Sequence, residues 1–291
     1  MPVPEVFAYD ADVSNEAGAP YMLLEYIHGT TADQLENANP SQPWSFGTVE
    51  QDRKPRDQMA KIQAEVASFT FSSIGGLYYS EDTETFYIGP DLETGKGPWA
   101  SSTDYYRDLT DHLLKTTMSR CGHLTTGIPS FALPVLCNHL LGACGEETAG
   151  PFRLMNTDFG PHNILVNDGF EIVGIVDFDG MKAAPLEAAA QYPRFSHMTV
   201  FPPGYIEAHP LQGPRIEEQK HLLAEYKDCL TRHEVEIRGG DGPAVVGPRL
   251  GSTGAIAYDG LLNYGRLARN VNERWFASAL LMLKDYAKGL Q

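Results

Sequence analysis

Asn156-Thr157-Asp158-Phe159-Gly160-Pro161-His162-Asn163-Ile164-Leu165-Val166, followed by Ile175-Val176-Asp177-Phe178-Asp179-Gly180, is the stretch on which the reading of this chain turns. Two short apolar runs, 163–166 and 172–177, flank the turn Asn167-Asp168-Gly169 and read as a buried hairpin. An aspartate stands on the loop before the hairpin, an asparagine opens its first strand, and an aspartate ends its second. The loop aspartate is placed to accept a hydroxyl proton. The asparagine and the last aspartate are hard oxygen ligands suited to Mg²⁺ bridging nucleotide phosphates. The Asp-x₄-Asn spacing alone is weak, since chance produces about one instance in a chain of this composition, and Asp10 and Asn15 share it. Pro161 between the pair and Asp177-Phe178-Asp179-Gly180 after the next strand make the signal specific.

Working outward, residues 3–9 and 19–27 are β-rich runs joined by a polar segment, and they predict a strand pair. Thr31 is placed to cap a short helix at 32–35. Residues 37–55, rich in Pro, Asn, Ser and Gln, read as a loop. Met59, Ile62, Val66 and Phe69 fall at helical spacing over 56–71. Residues 75–79 and 85–90 predict a second hairpin, and helices are expected near 103–119, 131–142, 216–234 and 266–288. The fold class that follows is α+β, with helices dominating everything after the first strand pair.

Composition bounds the chemistry. The 291 residues carry 22 basic and 38 acidic side chains, a net charge of −16. A chain this acidic without a basic stripe excludes nucleic acid and anionic membrane surfaces as partners and suits a cationic small molecule or metal ions. Cys121, Cys137, Cys144 and Cys229 match no zinc or redox spacing and read as small buried hydrophobes of a reducing compartment. No run approaches the roughly 18 apolar residues of a membrane span, and no secretory signal is readable. The expectation is a soluble, cytoplasmic protein.

With these residues in view, the chain resembles the aminoglycoside phosphotransferase and choline kinase-like group, fungal-type members of the protein-kinase-like fold. The resemblance implies ATP- and Mg²⁺-dependent phosphorylation of a small-molecule hydroxyl. It implies Asp158 as catalytic base, Asn163 and Asp177 as metal ligands, and Asp179 as an accessory carboxylate. It reads residues 3–9 and 21–27 as the last two strands of the N-lobe. Glu25-Tyr26-Ile27-His28-Gly29 is similar to the hinge, so Glu25 and Ile27 are expected at the nucleotide. The division implied is 1–29, a remnant of the N-lobe, and 30–291, the C-lobe with the catalytic loop and metal turn. The 75–90 hairpin resembles an insertion common in fungal members.

Two departures from that pattern stand out. Asn156 occupies the place of the histidine that usually orients the catalytic loop. No Gly-rich loop, Lys-bearing strand or Glu-bearing helix precedes the hinge in this sequence, so the usual clamp on the nucleotide phosphates has no counterpart. The readings left open are an active kinase, an impaired pseudokinase or binding module, and an incomplete reading frame with further upstream coding sequence. In the last two cases the chain binds ATP poorly and self-associates through its uncovered strand pair.

His162 is expected to face solvent and Lys182 to be an exposed surface lysine. Glu187 either faces the cleft or caps the following Ala-rich helix. Tyr105 and Tyr106, with Asp104, Asp108 and Asp111, are read as a solvated helix face, and Trp275, Phe276, Leu280 and Leu283 as core packing.

Overall fold

The computed structural model describes residues 1–38, 45–120, 128–144, 149–194, 213–240 and 242–263, with 198, 200, 277, 280–282 and 284–285. The architecture is α+β as expected, with antiparallel sheets and a mostly helical body. β1 (Val6–Asp10) and β2 (Tyr21–Leu24) form a two-stranded sheet. β3 (Thr30–Thr31) runs into α1 (Ala32–Ala38). α2 (Val49–Ser68) leads to β4 (Thr70–Phe71) and to the hairpin β5 (Gly75–Ser80) and β6 (Thr85–Gly89). Helices α3 (Ser102–Arg120) and α4 (Ile128–Cys144) follow. The chain then passes through β7 (Phe152–Asn156), β8 (Ile164–Val166), β9 (Ile172–Ile175) and β10 (Met181–Ala184). It continues with α5 (Leu186–Ala189), α6 (Gly213–Ile237) and α7 (Thr253–Asn263).

Strand order explains how the site is presented. β4-β7-β10-β5-β6 form one antiparallel sheet and β3-β8-β9 another. The chain leaves the first sheet at the end of β7, makes the β8–β9 hairpin, and returns at β10. Both connections, 157–163 and 176–180, therefore lie side by side between the two sheets. One core joins the larger sheet to α3, α4 and α7 around Tyr105, Tyr106, Phe152 and Tyr258. The other joins the smaller sheet to α2 and α6 around Met59, Ile164, Ile175 and Tyr226.

Several expectations are corrected here. The loop read over 37–55 ends early, because Thr48 starts a helix. Its Oγ1 accepts from the Gln51 amide (3.3 Å) and Gln51 Oε1 accepts from the Thr48 amide (2.7 Å), a reciprocal cap that tolerates Pro55 in the second turn. Thr31 directly precedes α1 (Ala32–Ala38), which starts where expected and runs on past residue 35, and it also pairs with Leu165 in a β-ladder. Tyr105 and Tyr106 are buried, so only the acidic side of α3 is solvated. Lys182 is buried rather than exposed, on a strand that the sequence reading missed. Leu280 is exposed rather than core; Trp275, Phe276 and Leu283 fall outside the described residues. Cys137 is a buried free thiol that burial pushes up to about 12, as expected, whereas Cys229 is only partly buried and is pushed up to about 11 by burial and by its contact with Asp57; Cys121 falls outside the described residues.

The strand pair β1–β2 contrasts with both cores. Phe7 and Met22 are 57% and 61% exposed, part of a large apolar surface on strands that pair only with each other among the described residues.

Candidate active site

The site is assembled by register. Asn156, the last residue of β7, lies opposite Met181, the first of β10, so the loop after one strand and the turn before the other begin together. Ile164 lies opposite Ile175 in the β8–β9 hairpin. The Val176 amide donates to the Asn163 carbonyl (3.0 Å) and carries Asp177 to the strand end where Asn163 sits.

Asn156 ties the two connections. Its Oδ1 accepts from the Asp158 amide (2.8 Å), and its Nδ2 makes a long bond to the Asp177 carbonyl (3.5 Å). Asn156 thus supplies loop-orienting hydrogen bonds at the place where a histidine was expected. The Thr157 amide donates to the Gly180 carbonyl (3.1 Å), a second stitch between loop and turn.

Asp158 lies on an exposed loop with its carboxylate half open to solvent. Its Oδ2 is 3.3 Å from His162 Nε2, and His162 faces solvent as expected. Asn163 is buried, and its Nδ2 donates to the Asp158 carbonyl (3.2 Å), leaving Oδ1 as an oxygen donor. Asp177 is exposed and adopts a left-handed backbone with φ of 62°. Such a conformation is uncommon outside glycine, and aspartate is among the residues that tolerate it. It turns the chain sharply between β9 and the tight turn at 179–180.

Gly180 is required by close approach. A Cβ there meets Thr157 Oγ1 and lies 2.9 Å from Asn156 Oδ1. Gly180→Ala is therefore expected to push the 157–163 loop from the 176–180 turn, and, if the site binds Mg·nucleotide, to impair its binding and turnover together. Parallel binding and turnover measurements check this; unchanged values in both contradict it.

Amide and carboxylate oxygens are the donor types that a hard divalent cation prefers. Asn163 Oδ1 and the Asp177 carboxylate are the candidate protein ligands, with Asp179 exposed nearby in sequence. Among the described residues no group of three or more His, Cys, Asp or Glu is arranged to hold a metal. A cation held by one amide and one carboxylate takes its remaining ligands from water and phosphate oxygens, the mode Mg²⁺ favours.

The candidate hinge residues follow β2. The Glu25 amide donates to the Glu5 carbonyl (2.8 Å) and its carboxylate accepts from the Glu5 amide (3.2 Å), so Glu25 extends the β1–β2 pairing. Ile27 packs where a Cβ on Gly174 would meet its Cδ1 at 2.8 Å, against the strand leading to Asp177. Glu187 is buried and accepts from the Tyr106 hydroxyl (3.0 Å), a core contact on α3.

Sequence reasoning missed the cavity beside this segment. About 350 Å³ of space opens between α3, the loop after β6 and the metal turn, and Thr157, Asp179 and Lys182 reach its wall. Its remaining walls come from segments distant in sequence, which no local pattern connects.

No family model matches the chain. Among curated proteins, it is 36% identical over 84 residues to "Altered inheritance of mitochondria protein 9, mitochondrial" of Candida tropicalis, covering 29% of this chain and 13% of that protein. It is 31% identical over 99 residues to a subtelomeric hrmA-associated cluster protein of Aspergillus fumigatus, 31% of this chain and 18% of that one. The Clavispora lusitaniae protein named for altered inheritance of mitochondria is 24% identical over 248 residues, 66% of this chain and 40% of that protein. The chain thus matches well under half the length of these relatives. Among solved structures, a thermostable mutant of aminoglycoside phosphotransferase APH(4)-Ia, in a ternary complex with ADP and hygromycin B, is 15% identical. That similarity covers 92% of this chain and 79% of the other, at a TM-score of 0.42, too loose a superposition to carry an argument.

The names correct the cytoplasmic expectation, since relatives in three yeasts are named as mitochondrial. Acidity and unpaired cysteines do not distinguish the cytosol from another reducing compartment, which is why composition misled. Among the described residues no helix is long and apolar enough to cross a membrane.

Proposed function

We propose that the chain carries the phosphoryl-transfer machinery of a small-molecule kinase acting with Mg·ATP, in a mitochondrial setting like that named for its relatives. The observation that supports this best is the junction made by Asn156, which holds the Asp158 loop and the Asp177 turn to one another. In this reading Asp158 accepts the proton of the acceptor hydroxyl as that oxygen attacks the terminal phosphoryl group. Asn163 and Asp177 hold Mg²⁺, which neutralises phosphate charge. Asn156 keeps base and metal ligands in register, so that positioning, the larger part of phosphoryl-transfer catalysis, is built into the backbone. Glu25 and Ile27 border the nucleotide, residues 1–29 act as the nucleotide-side unit, and residues 30–291 carry the chemistry. The partner is a small molecule, with the acidic balance admitting a cationic one, rather than nucleic acid or membrane.

A second reading, a binding module with impaired catalysis, is favoured by one observation. The strand pair beside the candidate hinge presents an open apolar face among the described residues. Titration of ATP into the 291-residue protein with and without Mg²⁺ separates the two readings. Metal-dependent binding supports the kinase reading, and its absence supports the binding module.

A further inference from the structure

We infer that one face of the β1–β2 strand pair docks a basic amphipathic helix from another polypeptide. The apolar stripe of that helix rests on Val6, Tyr9, Met22 and Leu24, and its Lys or Arg side chains meet the carboxylates around them. The inference concerns the strand pair alone and stands whether or not the site at Asp158 transfers phosphate.

Register defines the face. Val6 lies opposite Leu24, and Tyr9 opposite Met22. Cross-strand partners share a face, as do residues two apart along a strand, so these four side chains stand together. All four are exposed, and none carries a charge. The Tyr9 hydroxyl donates to Glu81 Oε1 (2.9 Å), which brings the tip of the β5–β6 hairpin alongside. On that hairpin the exposed Tyr79 and Phe86 rings pack with centroids 5.1 Å apart. Two strands are marginal in water unless a further layer covers their apolar face. Paired strands stand about 4.8 Å apart, and a helix with its side chains is about 10 Å across, so a single helix covers both.

Charge selects the occupant. Residues 1–52 and 62–95, which hold β1, β2, β5 and β6, contain no Lys or Arg. The terminal amine is spent on Glu65 (2.9 Å). Glu5 and Glu25 bound the β1–β2 face at one end, and Asp12 and Glu16 stand on the turn at the other. Glu81, Asp82 and Glu84 form the exposed hairpin tip. Among the described residues none of these carboxylates is in an ion pair. An apolar strip bounded by unpaired carboxylates complements a helix with large apolar residues along one stripe and Lys or Arg beside it, whose stems add apolar cover. A second copy of the same face sets carboxylate against carboxylate, and so does an anionic lipid surface.

The test is fluorescence-anisotropy titration of the full chain with three helical peptides of about 18 residues. They share one leucine stripe, and their polar faces are built from Lys, Gln or Glu. The Lys peptide is expected to bind about tenfold more tightly than the Gln peptide, with an advantage that shrinks as salt rises, and the Glu peptide not to bind. Met22→Ser is expected to weaken the Lys peptide about tenfold, as for an apolar side chain lost from an interface. Asp82→Lys is expected to weaken it about threefold, while Glu218→Lys, the same charge change on an exposed residue of α6, leaves it unaltered. Equal binding of the Lys and Gln peptides, an unchanged affinity in Met22→Ser, or an equal loss in Glu218→Lys overturns the inference. So does a dimer in sedimentation that Met22→Ser dissociates, which gives the face to a second copy. Binding to phosphatidylcholine vesicles that Met22→Ser abolishes gives it to a lipid surface and overturns the inference too. Mg·ATP titration reads the phosphotransfer site separately, so either reading can fail alone.

Discussion

Asp158→Asn is expected to lower phosphoryl transfer by about 10²–10⁴-fold, the contribution typical of a positioned general base, while leaving Mg·ATP affinity close to wild type. The substitution keeps size and hydrogen-bonding shape but removes the proton-accepting carboxylate. The loop itself is held by the Asp158 amide on Asn156 and by Asn163 on the Asp158 carbonyl, backbone contacts that survive the change. Because the Asp158 side chain is half exposed, the effect on stability should stay within about 0.5 kcal/mol. Single-turnover kinetics beside nucleotide titration reads the split directly. A variant with unaltered transfer removes Asp158 from the chemistry.

Lys182→Met is expected to destabilise the fold by about 3–5 kcal/mol, because it strands the Asp91 carboxylate in a dry environment. Both side chains are almost fully buried, and the pair is continuous with the Tyr105–Tyr258 hydroxyl bond (2.9 Å). Replacing both partners, Asp91→Leu with Lys182→Met, should recover much of the loss, since the desolvation cost then disappears on both sides. Burial pushes the Asp91 carboxyl upward, but Lys182 and the hydrogen bonds from Thr94 outweigh it and hold the group below the usual range. A depressed carboxyl contributes stability that is present above its unfolded value, roughly 4, and lost as pH falls through the folded one. Burial pulls the Lys182 ammonium down, and Tyr105, Tyr258 and Asp91 together hold it well above the ordinary lysine value. That stability is present below roughly pH 10 and fades only as pH rises through the raised value. Chemical denaturation of the single and double variants at neutral and acid pH checks the account. A single variant as stable as wild type contradicts it.

The candidate site residues could be picked out in the sequence because they lie on one local hairpin and its two flanking turns. Asp-x₄-Asn, the apolar runs and the second aspartate are short-range patterns, and the β8–β9 register follows from them. The central strands β7 and β10 were not legible. Phe152–Asn156 carries Arg153 and Asn156 inside a fully buried strand, and Met181–Ala184 has a lysine and no β-branched residue. Their polar groups are tolerated only because distant partners satisfy them, Arg153 Nη1 on the Ala67 carbonyl (2.9 Å) and Lys182 on Asp91. A lysine read from its neighbours alone looks like surface. The helix face at Tyr105 and Tyr106 misled in the same way, since α3 is covered by the sheet on one side and by other helices on the next. Compartment was illegible for a different reason, because net charge and cysteine usage report redox and solubility rather than address.

Titration of Mg·ATP into the 291-residue protein and its Asp177→Asn variant bears most directly on the phosphotransfer reading. Binding that requires Mg²⁺ is expected for the wild type. Asp177→Asn should reduce it about tenfold or more, as the loss of a charged ligand to the ion. Binding that is indifferent to Mg²⁺, or equal in the two proteins, would contradict the assignment of Asp177 and Asn163 to the metal and the kinase reading with it.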